Sequence, residues 1–130
     1  MLLMGDWTEY TPETFLQMLT TPWGGQWRDK SCPFKESYGV RPDELEGKQL
    51  LAAGYWTGDC EGDMWMLARD TETGDLWESV EGHCSCNGIL EGGIGWSTVL
   101  KEQLLRRTDR RSFGGNAKER EAIKALVESL

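Results

Sequence analysis

Hydrophobic residues near the start of the chain follow a helical spacing. Phe15, Leu16 and Leu19 fall on one helical face. The preceding Thr11-Pro12-Glu13 supplies a capping hydroxyl, a proline at the first helical position and an acid in the first turn. A short amphipathic helix ending near Leu19 is therefore predicted. The chain is less regular from there to Gly47, with one further helical turn over residues 42–45.

The pattern then changes to short apolar stretches separated by polar, glycine-containing turns. The stretches cover residues 50–56, 64–69 and 76–80, which is typical of consecutive antiparallel strands. In the middle stretch Trp65 and Leu67 alternate with Met64 and Met66. Both faces of this strand are therefore apolar, and we expect helices to cover at least one of them.

Helical spacing returns after a glycine-rich segment. Glycines from Gly82 to Gly95 predict an extended loop that ends near Trp96. Ser97 is expected to cap a helix that carries Arg106 and Arg107 in its last turn. A capping box beginning at residue 116 predicts a terminal amphipathic helix. The apolar positions of these two helices are Leu100, Leu104, Leu105, Ile123, Leu126, Val127 and Leu130.

These elements predict a single α+β domain over residues 1–130. We expect a small three- to four-stranded antiparallel sheet packed by an N-terminal helix and two C-terminal helices. The helix and a packed loop occupy residues 1–48, the sheet and a cysteine loop residues 49–96, and the C-terminal helices residues 97–130. The chain starts without a signal-peptide pattern and has no stretch of membrane-span length, so we expect a cytoplasmic protein whose cysteines are thiols.

Charged residues are segregated along the chain. The formal net charge is −8, but residues 1–100 carry a net charge of −11 and residues 101–130 one of +3. An acidic body repels nucleic-acid phosphates, so direct DNA or RNA binding is not expected, and a partner protein with a basic surface fits better. The arginine cluster within residues 106–111 is interpreted as helix capping and pairing with the acidic body.

Acidic and aromatic residues around the predicted hairpins are candidates for partner binding. Residues 59–81 contain eight acids and one base, Arg69. Seven tryptophans exceed what so small a core hides, and those flanking the cysteine loop are predicted at a recognition surface. The plainer alternative is that the acidic turns only keep a sheet edge soluble. The predicted binding residues are Asp59, Glu61, Asp63, Asp70, Glu72, Asp75, Trp77 and Trp96.

The segment His83-Cys84-Ser85-Cys86 is the strongest chemical cluster in the sequence. With Cys60 as a fourth ligand it would make a structural zinc site, although the Cys-x-Cys spacing is tighter than in common zinc knuckles. Small buried thiols with a backbone-bonded histidine are the simpler interpretation, so no cofactor is expected and zinc is the alternative. A thiol enzyme using Cys86 is a third possibility, but no recognised catalytic motif accompanies the single histidine.

One stretch resembles a known group of proteins. Gly74-Asp75-Leu76-Trp77-Glu78, followed by Gly82-His83-Cys84-Ser85-Cys86-Asn87-Gly88, is similar to a family of small, mostly uncharacterised bacteriophage proteins with a His-Cys-Ser-Cys-x-Gly motif. The similarity covers about residues 50–105. Cys60 and the glycine-rich residues 92–95 depart from the family pattern.

The resemblance implies phage origin and an accessory role without catalysis. The resulting hypothesis is a non-enzymatic accessory protein that binds and modulates a host or defence protein in the infected bacterium, for example as an anti-CRISPR-like inhibitor. Neither nucleic acid nor membrane is an expected partner, and a homo-oligomer is left open. A structural zinc module and a thiol-dependent enzyme are the alternatives.

Overall fold

The computed structural model describes residues 1–21, 39–58, 61–83, 90, 93–109 and 115–130, and within them the chain is an α+β protein. Two short 3-10 helices span Asp6–Glu9 and Pro42–Glu44. The other elements, in chain order, are β1 (Leu2–Gly5), α1 (Pro12–Thr20), β2 (Lys48–Gly58), β3 (Glu61–Asp70), β4 (Leu76–His83), β5 (Ser97–Val99), α2 (Lys101–Thr108) and α3 (Ala117–Glu128).

The strands form one five-stranded sheet in the order β1-β2-β3-β4-β5. The three predicted strands are confirmed as β2, β3 and β4, each longer than predicted. Neighbours from β2 to β5 are antiparallel, whereas β1 runs parallel to β2. The predicted three- to four-stranded, purely antiparallel sheet is therefore corrected to a five-stranded mixed sheet. The sequence around β1 contains no hairpin pattern that would predict this strand, because a parallel strand pairs with residues far along the chain rather than across a turn.

The segment after Trp96 also differs from the prediction. Ser97 lies in β5 instead of capping a helix, and α2 begins at Lys101 with Leu100 as its N-cap residue. Leucine has no side-chain acceptor for the N–H groups of the first turn. The Gln103 side chain supplies the other half of a capping box, accepting a hydrogen bond of 2.9 Å from the backbone N–H of Leu100. The predicted loop likewise begins later, since Gly82 and His83 belong to β4.

Both faces of the sheet are covered by helical segments. On one face, Met64 and Met66 pack with residues of the first 3-10 helix and α1, among them Trp7 and Phe15. On the other, Trp65 and Leu67 pack against α2 and α3. The sheet is therefore the middle of three layers, and the alternation seen in the sequence of β3 is confirmed. Buried residues of α2 and α3 in the second cluster are Leu104, Ile123 and Val127.

A bulge in β2 adjusts this strand to the two clusters. Leu50 pairs with Ala68 and Ala52 pairs with Leu67, so Leu51 is an extra residue. Leu51 and Ala52 consequently both belong to the cluster under α2 and α3, although neighbours in a regular strand point to opposite faces.

The predicted capping of α1 and α3 is confirmed. Thr11 accepts a hydrogen bond from the N–H of Thr14, and the side chain of Asn116 accepts one from the N–H of Glu119. In α3 the Glu119 side chain also accepts from the Asn116 N–H, which completes a capping box. Among the described helices, none has the length and apolar character needed to cross a membrane.

Candidate functional site

Strand topology divides the predicted binding acids between the two ends of the sheet. Glu61 and Asp63 lie at the start of β3, whereas Asp70 ends that strand and Glu72 and Asp75 lie in the turn after it. The nine residue-to-residue steps along β3, at 3.3–3.4 Å each, separate its two ends by about 30 Å. The acids therefore do not form one continuous patch. Asp59 lies outside the described residues.

The β3–β4 turn is held by the carboxylate of Asp70. Its Oδ1 accepts hydrogen bonds from the backbone N–H groups of Glu72 (2.8 Å) and Thr73 (2.9 Å). The bonds from Thr73 and Glu72, with a smaller contribution from nearby Lys48, lower the pKa of Asp70 below its ordinary value. Glu72 and Asp75 are exposed. Asp70 thus stabilises the turn, whereas Glu72 and Asp75 are accessible to solvent.

Trp77 and Trp96 both lie near the Lys48 side chain, next to this turn. The ammonium of Lys48 lies 5.2 Å from the centre of the Trp77 ring and 5.9 Å from that of the Trp96 ring, within the range of cation–π attraction. Lys48 is paired with Asp70 across the β2–β3 ladder. Both indoles are partly exposed. We call Asp70, Glu72, Asp75, Trp77 and Trp96 the acidic–aromatic face.

Glu44 fixes the segment that carries Trp96. The indole N–H of Trp96 donates to the backbone carbonyl of Glu44 (2.9 Å), and the Glu44 carboxylate accepts the N–H of Ile94 (2.8 Å). Gly93 has a φ of +89°, and a Cβ there would stand 2.2 Å from the same carboxylate. The positive φ favours glycine at this position, and the absence of a side chain allows the Glu44 carboxylate to approach closely.

Trp77 is held differently from the other tryptophans. Its indole nitrogen is buried and has no hydrogen-bond partner in the part of the chain that the structure describes. In contrast, the indole N–H groups of Trp56 and Trp65 donate to Glu119 and Glu78, both at 3.1 Å. A buried donor without an acceptor is uncommon in folded proteins. No described acceptor therefore fixes the Trp77 indole, and the contact described for its ring is with the Lys48 ammonium.

Described residues next to the candidate zinc ligands in the sequence lie at the opposite end of the sheet, where β3 begins and β4 ends. His83 pairs with Gly62, which follows Cys60 by two positions in the sequence. Cys60, Cys84, Cys86 and the side chain of His83 lie outside the described residues, so the metal and thiol interpretations stay predictions. Among the residues that are described, no group of three or more histidine, cysteine or acidic side chains converges as metal ligands.

Sequence reasoning missed Lys48 and Glu44 as parts of the site. Both precede the predicted sheet, and Trp77 and Trp96 are far along the chain. Only the register of β2 on β3 and the return of the chain past Gly93 bring them together. Neither residue type nor local spacing carries a signal for such a contact.

Comparisons of this chain with protein-family models, with curated protein sequences and with solved structures found no match.

Proposed function

We propose that this chain is a non-enzymatic phage accessory protein that binds a host or defence protein through the acidic–aromatic face. The phage origin is supported by the resemblance of residues 74–88 to the bacteriophage family. The binding role is supported by one structural observation, the placement of Trp77 and Trp96 around Lys48 beside an exposed acidic turn. Glu61 and Asp63, at the other end of β3, are left out of the proposed face.

The chemistry of this face suits a basic partner. Tryptophans supply most of the binding energy in many protein interfaces, while surrounding charges set the association rate and the choice of partner. Glu72 and Asp75 are exposed next to the two indoles. A partner surface rich in lysine or arginine, such as a nucleic-acid-binding groove, offers the matching charge. Inhibition in the manner of an anti-CRISPR protein is the concrete form of this proposal.

Charge reversal at the turn tests the proposal. The variant Glu72→Lys/Asp75→Lys leaves Asp70 in place, because the Asp70 carboxylate holds the turn. We expect this variant to capture the partner from bacterial lysate about tenfold less tightly than the parent protein. The measurement is affinity capture with quantitative mass spectrometry at several salt concentrations. A polynucleotide competitor should release the partner if a basic groove is bound.

The matched control is Glu61→Lys/Asp63→Lys. It makes the same change in net charge at the opposite end of the same strand. Circular dichroism establishes that both variants are folded. Equal loss of capture in the two variants indicates a general charge effect and contradicts the proposed face, as does unchanged capture by the Glu72→Lys/Asp75→Lys variant.

A structural zinc module is the second candidate, and strand register favours it over the thiol enzyme. The pairing of His83 with Gly62 brings the sequence neighbours of Cys60, Cys84 and Cys86 to one end of the sheet. Three cysteines and one histidine form a common structural zinc set. The adjacency of β3 and β4 supports this candidate.

Zinc content decides this second candidate. If it holds, protein purified with zinc present carries one ion per chain, and Cys84→Ser/Cys86→Ser loses it, because serine does not replace a thiolate ligand. Cys32→Ser is the control, since Cys32 is not a candidate ligand. Elemental analysis by mass spectrometry measures the ratio. Parent protein without stoichiometric zinc excludes the module and leaves the proposed binding function untouched.

A further inference from the structure

A cleft of about 470 Å³ lies where the edge strand β5 meets α2. It is lined by Glu78, Thr98, Val99, Gln103, Arg106 and Arg107. Gln103, Arg106 and Arg107 are spaced three and four positions apart, so they share one face of α2. The cleft has the volume of a small-molecule site.

The cleft is separate from the acidic–aromatic face. Trp77 and Glu78 are neighbours in β4 and therefore point to opposite faces of the sheet. Trp77 contacts Lys48 on the α1 side, whereas Glu78 accepts a hydrogen bond from Trp65, which packs under α2 and α3. One strand thus contributes to two different surfaces.

Among the described residues of the lining, Glu78 is the only carboxylate, and it is already engaged. Glu78 Oε2 accepts hydrogen bonds from Arg107 Nη2 (2.5 Å) and from the indole N–H of Trp65 (3.1 Å). The side chains of Glu78 and Arg107 are 14% and 30% exposed, so this pair is largely shielded from water. Its charges cancel, and Arg106 gives the cleft a net positive charge within a chain of net charge −8.

The remaining polar groups of the lining are mainly donors. The Gln103 side-chain oxygen is occupied by the Leu100 N–H, which leaves its amide N–H groups as donors. Arg106 adds a guanidinium, whose planar fork matches the geometry of carboxylate and phosphate groups. Thr98 pairs with Trp77, so its side chain points to the other face of the sheet and only its backbone borders the cleft. A cationic ligand would be repelled by Arg106, and a neutral ligand would not match its charge.

We propose that this cleft binds a small organic anion, whose carboxylate or phosphate group is held by Arg106 with support from the Gln103 side-chain amide. Arg107 is the positioning residue, because its bond to Glu78 fixes the wall of the cleft. The site is independent of partner binding at the acidic–aromatic face.

Nuclear magnetic resonance titration tests the proposal. The probes are inorganic phosphate and succinate, added to labelled full-length protein, with sodium chloride at matched ionic strength as the reference. We expect saturable shifts of the Gln103 side-chain amide and the Arg106 Nε–H signals with at least one probe. Response to phosphate alone identifies a phosphate ligand, and response to succinate alone a carboxylate ligand.

The variant Arg106→Gln should weaken binding about tenfold or more, because it removes a charge-assisted hydrogen bond. Arg106 is exposed, so the fold should tolerate the change. Arg41→Gln is the control, since Arg41 is also an exposed arginine, but it is paired with Asp43 outside the cleft. Shifts that do not saturate, or that persist unchanged in Arg106→Gln, overturn the proposal.

Discussion

Gly5 and Gly47 both have positive φ angles, of +62° and +72°, but their surroundings differ. A Cβ on Gly5 would stand 2.1 Å from the backbone oxygen of Tyr55, whereas nothing lies within 4 Å of the corresponding position on Gly47. Gly5 ends β1, where the chain leaves the parallel pairing with β2. Glycine is required there both by the close backbone packing and by the φ and ψ angles of +62° and −135°, a combination that other residues rarely adopt.

Alanine substitution at Gly5 and at Gly47 compares a closely packed glycine with an open one. Gly47→Ala should lower the free energy of unfolding by about 1 kcal/mol, the cost of the left-handed conformation alone. Gly5→Ala should lower it by about 3 kcal/mol or more, because a backbone clash adds to the strained φ. Urea unfolding of both variants at one pH measures the difference. Equal losses would show that Gly5 is not closely packed against β2.

At the scale of elements, Glu119 joins α3 to the sheet. Its carboxylate accepts hydrogen bonds from the backbone N–H of Gly5 (2.9 Å), the indole of Trp56 (3.1 Å) and the N–H of Asn116 (3.0 Å). Burial by itself raises the pKa of Glu119, but the bonds from Asn116, Trp56 and Gly5 outweigh it, so the pKa lies below its ordinary value. One side chain thus caps α3 and holds it against β1 and β2.

This linkage makes the docking of α3 dependent on pH. A carboxyl group whose pKa is lower in the folded state stabilises the fold above its unfolded pKa, and that stabilisation is lost as pH falls through the folded pKa. Glu119→Gln should therefore lower the free energy of unfolding at pH 7, by about 1–2 kcal/mol for a partly exposed group.

The difference between Glu119→Gln and the parent protein should narrow between pH 4.5, the ordinary pKa of the group, and about pH 3. Chemical unfolding at a series of pH values measures this difference. Glu121→Gln is the control, since Glu121 is exposed on the same helix. A difference that stays constant down to about pH 3 would contradict the proposed role of the Glu119 charge.

At the scale of the whole molecule, the sheet separates two surfaces of different character. One face of β4 and the turn before it carry the acidic–aromatic face, and the other face of β4 borders the cleft that contains Arg106. The charge segregation of the sequence, −11 over residues 1–100 and +3 over residues 101–130, is thus expressed in space. The ion pair between Arg107 and Glu78 connects the basic C-terminal part of the chain to its acidic part. Such pairing was expected from the sequence for the arginine cluster.

The sequence by itself determined the local elements. Helices α1 and α3, the three central strands and the two apolar faces of β3 follow from periodicity and capping, which depend on residues within a few positions of one another. The segregation of charge likewise follows from counting the charged residues in each part of the chain. These features could be predicted because the interactions that cause them join residues that are close in the sequence.

Tertiary structure decided the pairings between distant residues. The parallel contact of β1 with β2, the meeting of Lys48 with Trp77 and Trp96, and the bonds of Glu119 to Gly5 and Trp56 join parts of the chain that share no local pattern. Strand register and side-chain packing fix these contacts, and both depend on the helical segments covering the two faces of the sheet at the same time. For this reason the sequence could only propose candidate binding residues, and the fold decided which of them lie near one another.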